Sequence, residues 1–279
     1  MHQPSRHQTW SWISIGFWLA VTLAALVPAR GESAQQLSLT YISNEGFLLE
    51  AGGRKVLVDA LVGTNPRYIS MSHEVRSQLE GAEAPFDDVD LVLATHYHGD
   101  HFEAQGVGRH LLANPRAVFV STRQAVEKLQ NEFSEFSKIE DRVHAAAPKE
   151  GQRHKFPELG LEVLNLHHGR NRRPLVENHG FVFEVGSWKI LHVGDTEAQK
   201  DEFAANSLDK DGIDVALLPG WIVFDSTWEG VISEAIQPGR VAVMHLPPNW
   251  KEKDFAAASK QAQEALFFRH ALEIVELSP

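Results

Sequence analysis

The chain has 279 residues, 43% of them hydrophobic, which is enough to bury a core in one large domain or two small ones and excludes a disordered or fibrous protein. A formal net charge of −11 argues against nucleic acid or any partner needing a broad basic surface, and leaves room for a small anionic substrate held by local charge in a cleft. With no cysteine, disulfides, thiolate ligands and a cysteine nucleophile are excluded, so any metal must be held by His, Asp or Glu.

The N-terminus begins with Arg6 and continues into an uncharged run from Trp10 to Val27, followed by small residues up to Ala34. This order reads as a secretory signal peptide over residues 1–34, with export to the periplasm or the medium as the expected outcome. The competing reading is a retained membrane anchor, because the apolar run is about long enough to span a bilayer. Either way it lies outside a folded domain expected over 35–279.

Short strands alternating with helices follow. Leu37–Ile42, Gly46–Glu50 and Lys55–Asp59 are predicted as an antiparallel meander, and Val89–Thr95 as a buried strand. Ala117–Ser121 is a further strand, and Thr122–Gln130 has helical spacing. In the second half Leu161–Leu166, Gly180–Val185, Trp188–Val193, Asp214–Leu218 and Arg240–His245 read as strands. A helix is expected over Phe255–Arg269, and Leu272–Leu277 as a closing strand. No long linker divides the halves, so one α/β domain with two β-rich halves flanked by helices is expected.

The chemistry concentrates where Val89–Thr95 ends, in His96-Tyr97-His98-Gly99-Asp100-His101. In extended backbone, His96 and His98 project to the same side. Gly99 lets the chain turn, so that Asp100 and His101 face a neighbouring position. Six residues thus offer ligands for two adjacent divalent ions, in a donor set that suits zinc. Further candidates sit at other strand ends, where rigid backbone places a side chain accurately. These are His167-His168, Asp195 within His192-Val193-Gly194-Asp195, and His245.

This order of His-X-His-X-Asp-His, a downstream His, a Gly-Asp and a final His resembles the metallo-β-lactamase superfamily across essentially all of 35–279. The resemblance implies a four-layer αββα sandwich, with Asp59 as the family's first acidic motif bracing the metal loop. It implies one ion on His96, His98 and His168, a second on Asp100, His101 and His245, and Asp195 bridging both. His168 is preferred to His167 because family members place the ligand before a Gly or Thr, and Gly169 follows His168.

Two such ions, Zn2+ with Mn2+ or Fe2+ as alternatives, would share a bridging hydroxide able to attack a carbonyl or phosphorus centre. Asp100 and Asp195 are the candidate catalytic carboxylates. A bridging Asp is typical of the thioesterase, lactonase and phosphodiesterase branches of the resembled family. The expected reaction is therefore cleavage of an ester, thioester, lactone or phosphodiester, outside the true β-lactamases. Amide or β-lactam hydrolysis and a non-catalytic metal-binding protein of the same fold are the rivals, and a di-iron redox protein is disfavoured because such relatives usually need flavin modules. Arg170, Arg172 and Arg173 could grip an anionic small-molecule substrate, against the reading of a solvated charged loop. Trp221, with Phe224 and Trp228, could wall an apolar pocket, against simple packing. His179 is read as structural, as are the histidines at 73, 110, 144, 154, 192 and 270.

Overall fold

The protein was examined as a computed structural model that describes residues 35–63, 68, 71–169 and 176–279. The proposed signal or anchor segment 1–34 and the Arg170, Arg172 and Arg173 loop lie outside the described residues. Among the described residues no helix is long and apolar enough to cross a membrane.

The meander is present as β1 (Leu37–Ser43), β2 (Gly46–Ala51) and β3 (Arg54–Val58), each antiparallel to the next. After α1 (His73–Glu80) the chain returns as β4 (Leu91–Ala94), parallel to β3. Helix α2 (Ala104–Ala113), strand β5 (Val118–Ser121), helix α3 (Arg123–Glu132) and strand β6 (Val143–Ala145) continue the parallel half. β4 is shorter than the apolar run suggests because Asp90 turns its carboxylate onto the Lys55 amide at 3.0 Å and caps the strand entry.

The second half repeats this plan. β7 (His154–Phe156), β8 (Leu161–Asn165), β9 (His179–Val185) and β10 (Trp188–His192) form the antiparallel part. Helix α4 (Lys200–Ala205), β11 (Val215–Pro219), α5 (Gly220–Phe224), β12 (Arg240–Met244), α6 (Glu252–Gln261) and β13 (Leu266–Phe267) follow. β11, β12 and β13 are parallel to β10. The last strand, β14 (Ile274–Leu277), crosses back to pair antiparallel with β1. The result is two seven-stranded sheets, ordered β14-β1-β2-β3-β4-β5-β6 and β13-β12-β11-β10-β9-β8-β7.

Strand alternation builds the layers. Leu91 and Leu93 enter the core shared with the second sheet, beside Phe181, Phe183 and Ile190. Val92 and Ala94 enter the opposite core, with Val107 and Leu111 of α2 and Leu129 of α3. Val243 of β12 packs with Phe255 of α6 on the far face of the second sheet. Helix, sheet, sheet, helix is the αββα sandwich expected from the resemblance.

One predicted element is corrected. The helix expected over Phe255–Arg269 begins at Glu252 and ends at Gln261, and Leu266–Phe267 form strand β13 instead. Asp254 accepts the Lys251 amide at 2.8 Å and starts the helix early. At the other end Leu266 and Phe267 gain a parallel partner in Ala242 and Val243, so tertiary pairing outweighs local periodicity. Helices α1 and α2 had no sequence expectation. α2 carries Gly106 and Gly108, which weaken a helical signal.

Candidate metal centre

Each sequence candidate within the described residues leaves the C-terminal end of a strand, and these ends converge. His96 to His101 follow β4, His168 follows β8, Asp195 follows β10 and His245 follows β12. Donor atoms of His96, His98 and His168 lie within 4.8 Å of one another. Those of Asp100, His101, Asp195 and His245 form a second group with the same spread.

Asp195 stands between the groups. Its Oδ1 is 3.3 Å from His101 Nε2 and 3.4 Å from His245 Nε2, whereas its Oδ2 is 3.7 Å from His168 Nε2. The two oxygens of one carboxylate therefore face different histidine sets. Gly194 makes this placement possible. Its φ is +59°, and a Cβ there would fall 2.5 Å from Asn178 Oδ1 and 2.7 Å from Thr95 Cβ. Asn178 in turn clips two strand ends together, donating to the carbonyls of Leu166 at 2.8 Å and Val193 at 3.1 Å.

Asp59 lies behind the motif and is fully buried. Its Oδ1 accepts the Thr95 amide at 2.7 Å, and its Oδ2 accepts Thr95 Oγ1 at 2.7 Å and His101 Nδ1–H at 2.8 Å. That bond fixes the His101 tautomer and leaves Nε2 facing inward. His96 Nε2 and His98 Nδ1 are turned toward each other at 2.9 Å.

His167 points away, with Nδ1 2.6 Å from Glu202 Oε1 of α4. Trp221 stands at the rim, its ring edge-on to His245 at 4.9 Å and its Nε1 donating to the Thr196 carbonyl at 2.9 Å. Tyr68 meets His245 in the same way at 4.9 Å. Trp228 is a core residue, buried and bonded to the Ala198 carbonyl, and Phe224 packs with Trp250 and Phe267. His179 and His192 are buried with backbone partners. The former reaches Ala146 O at 3.3 Å, and the latter reaches Glu45 O at 3.0 Å while accepting the Gly194 amide at 3.2 Å.

Sequence reasoning missed three residues here. Asn44 donates to Asp100 Oδ2 at 3.4 Å, and Tyr68 covers His245. Glu45, in the tight β1–β2 turn, is fully buried with its carboxylate 3.6 Å from His101 Nδ1. Nothing local marks a glutamate in a turn as buried, because that depends on the second sheet closing over it.

The electrostatics are those of a cation site. Burial pushes the His96 and His98 pKa values down, so both rings are neutral and free to donate a lone pair. Burial would also depress His101, but the Asp195 and Asp59 carboxylates outweigh it and hold its pKa well above the usual range. Burial would raise Asp195, and His101, followed by His168 and His245, holds it well below the usual carboxylate value. Burial, and next the Asp195 charge, pushes Glu45 well above that value. His101 Nε2, His168 Nε2 and Asp195 Oδ1 are buried and lack hydrogen-bond partners. Inward-facing orphaned imidazole and carboxylate donors fit divalent ions, and they would be costly without them.

Residues 54–270 match the family model described as the Beta-lactamase superfamily domain. The chain is 29% identical over 214 residues to a "UPF0173 metal-dependent hydrolase" of Aeropyrum pernix, covering 74% of this chain and 81% of that protein. A relative of the same name from Thermus thermophilus is 26% identical over 250 residues, covering 85% and 96% of the two chains. Among solved structures, the metallo hydrolase Igni18 of Ignicoccus hospitalis superposes with a TM-score of 0.58 at 20% identity, over 88% of this chain and 99% of that one. Zn(2+)-bound PqqB of Methylobacterium extorquens superposes with a TM-score of 0.56 at 14% identity, over 88% and 100%. The sandwich, the convergence of donors at its strand ends and the matched family model lead to one assignment: the chain belongs to the β-lactamase superfamily and has the metallo-β-lactamase fold.

Proposed function

We propose that this chain is a metal-dependent hydrolase with a two-ion centre, most simply of zinc. His96, His98 and His168 would hold one ion, Asp100, His101 and His245 the other, and Asp195 would be shared. The observation that carries this reading is the split of the Asp195 carboxylate between the two histidine sets. The name "metal-dependent hydrolase" borne by relatives over most of their length supports the hydrolytic class. When bound, such ions polarise the substrate and acidify a water toward neutral pH.

The chain's own residues do the rest. Asp59 holds His101 in one tautomer, and the Asn178 clip keeps the ends of β8 and β10 in place. Asp100, steadied by Asn44, is placed to orient the attacking water and take its proton. Trp221 offers an apolar edge beside His245 for the non-reacting part of a small substrate. Arg170, Arg172 and Arg173 follow His168 directly in sequence and would supply an anion grip.

The substrate class is an ester, thioester, lactone or phosphodiester. A shared aspartate and a cysteine-free chain turn the proposal away from β-lactams. Cleavage of residues 1–34 would place the enzyme in the periplasm or medium, where its partner is a small molecule.

Metal analysis after reconstitution should return two ions per chain. A panel of chromogenic phosphodiester, lactone, thioester and β-lactam substrates should show turnover in one of the first three classes. Asp100→Asn should lower it by about 100-fold or more. Less than one ion per chain, or full activity in the variant, would reject the proposal.

A further inference from the structure

Glu45 is a carboxylate that the proposed chemistry does not use. It is fully buried, and neither oxygen finds a hydrogen-bond partner among the described residues. Together with Asp59 and His192 it forms a third close group of potential donors. That group has no capacity left for an ion of its own. Both His192 nitrogens are taken by backbone, and Asp59 is taken by Thr95 and His101. Glu45 therefore acts through its neighbours, which are His101, 3.6 Å from its Oε2, and Asp195.

These contacts make the two halves of the centre unequal. The His96–His98–His168 half consists of neutral imidazoles. His96 is backed only by the Thr95 hydroxyl, 3.1 Å from its Nδ1. The other half contains Asp100, and its His101 is backed by Asp59 and Glu45. Negative charge in a buried shell raises the basicity of a ligand and the affinity for a cation. We propose that Glu45 is a positioning residue that makes the Asp100–His101–Asp195–His245 half the tighter of the two, the half that fills first. This rests on the two-ion reading of the centre. Oxygen-rich surroundings also make that half the more tolerant of a hard ion such as Mn2+, whereas the three-histidine half favours Zn2+.

The test is a Zn2+ and Mn2+ titration of the purified full chain against a competing chelator. Wild type, Glu45→Gln and Glu45→Asp are compared, with folding checked by circular dichroism. Wild type should bind two ions with separable affinities. Glu45→Gln keeps the shape and removes the charge, and it should weaken one ion by about 10-fold while leaving the other within about 2-fold. Glu45→Asp keeps the charge and should lose less.

Half-site backgrounds identify the ion affected. In His98→Ala, where the aspartate half remains, Glu45→Gln should weaken binding. In His245→Ala, where the histidine half remains, it should change nothing. Unchanged affinities in Glu45→Gln, or equal loss at both ions, would overturn the proposal. If Glu45→Gln does not fold, Glu45→Asp decides, and wild-type affinities at both ions in that variant overturn it. A wild type that binds fewer than two ions would instead reject the two-ion reading itself.

Discussion

Asp59 touches no substrate, yet four interactions converge on or near it. It takes the Thr95 amide and hydroxyl and the His101 ring, and His192 lies 4.0 Å away. Asp59→Asn keeps the size, removes the charge and presents an amide donor where His101 needs an acceptor. Ion affinity should fall by about 10- to 100-fold, read by chelator competition, with little change in the far-ultraviolet spectrum. His179 gives a prediction in pH. Burial lowers its pKa from the ordinary value of 6.5 to about 4. Because the folded value lies below the unfolded one, this residue's contribution is intact above about pH 6.5 and is lost as pH falls toward 4, by up to about 3 kcal/mol. Denaturant titrations at pH 7 and pH 4.5 should show a smaller acid loss in His179→Gln than in wild type, and identical losses would contradict the assignment. Gly194→Ala should cost about 2 kcal/mol or more and release bound ion, since its Cβ would meet Asn178 and Thr95 in a backbone region that favours glycine.

Elements differ in how far their own residues decide them. Strands β1 to β5 and β8 to β12 carry apolar runs or alternation strong enough to be read directly, because both faces of each sheet are covered. Helix α2 is the opposite case. A Cβ on its Gly108 would come within 2.4 Å of the Phe133 ring just beyond α3, so the glycine exists for that close approach. Alanine would improve intrinsic helix propensity by about 1 kcal/mol. Overpacking works against it by about 1–3 kcal/mol. Gly108→Ala should therefore lower the melting temperature, and a rise would show that Phe133 moves aside freely. Helix α6 stops at Gln261 for a related reason, since the next residues are worth more as a partner of β12 than as another helical turn.

On the scale of the whole molecule, the proposed ligands come from both β-rich halves. His96, His98, Asp100 and His101 follow β4 in the first sheet, and His168, Asp195 and His245 follow strands of the second. Bound ions would therefore tie the two halves across the open edge of their shared core. Stripping them with a chelator should lower the melting temperature by about 5 °C or more, recovered on adding Zn2+. No shift on chelation would mean that the ions do not bridge the halves.

Local spacing and composition were enough to read the two-residue step from His96 to His98, the turn at Gly99 and the strand-end positions of Asp195 and His245. Such features depend only on backbone period and on a few turn residues. The order of these motifs then led to the sandwich. The tertiary structure alone decided which side chains share a space. His168 faces Asp195 while its neighbour His167 turns to Glu202, and Trp221 reaches the rim while Trp228 is buried. Glu45, in an ordinary-looking turn, lies beneath His101 with no donor of its own. The physical reason is common to all of these. A side chain's partners at the end of a strand are set by which other strand ends arrive beside it, and that is a property of the two packed sheets.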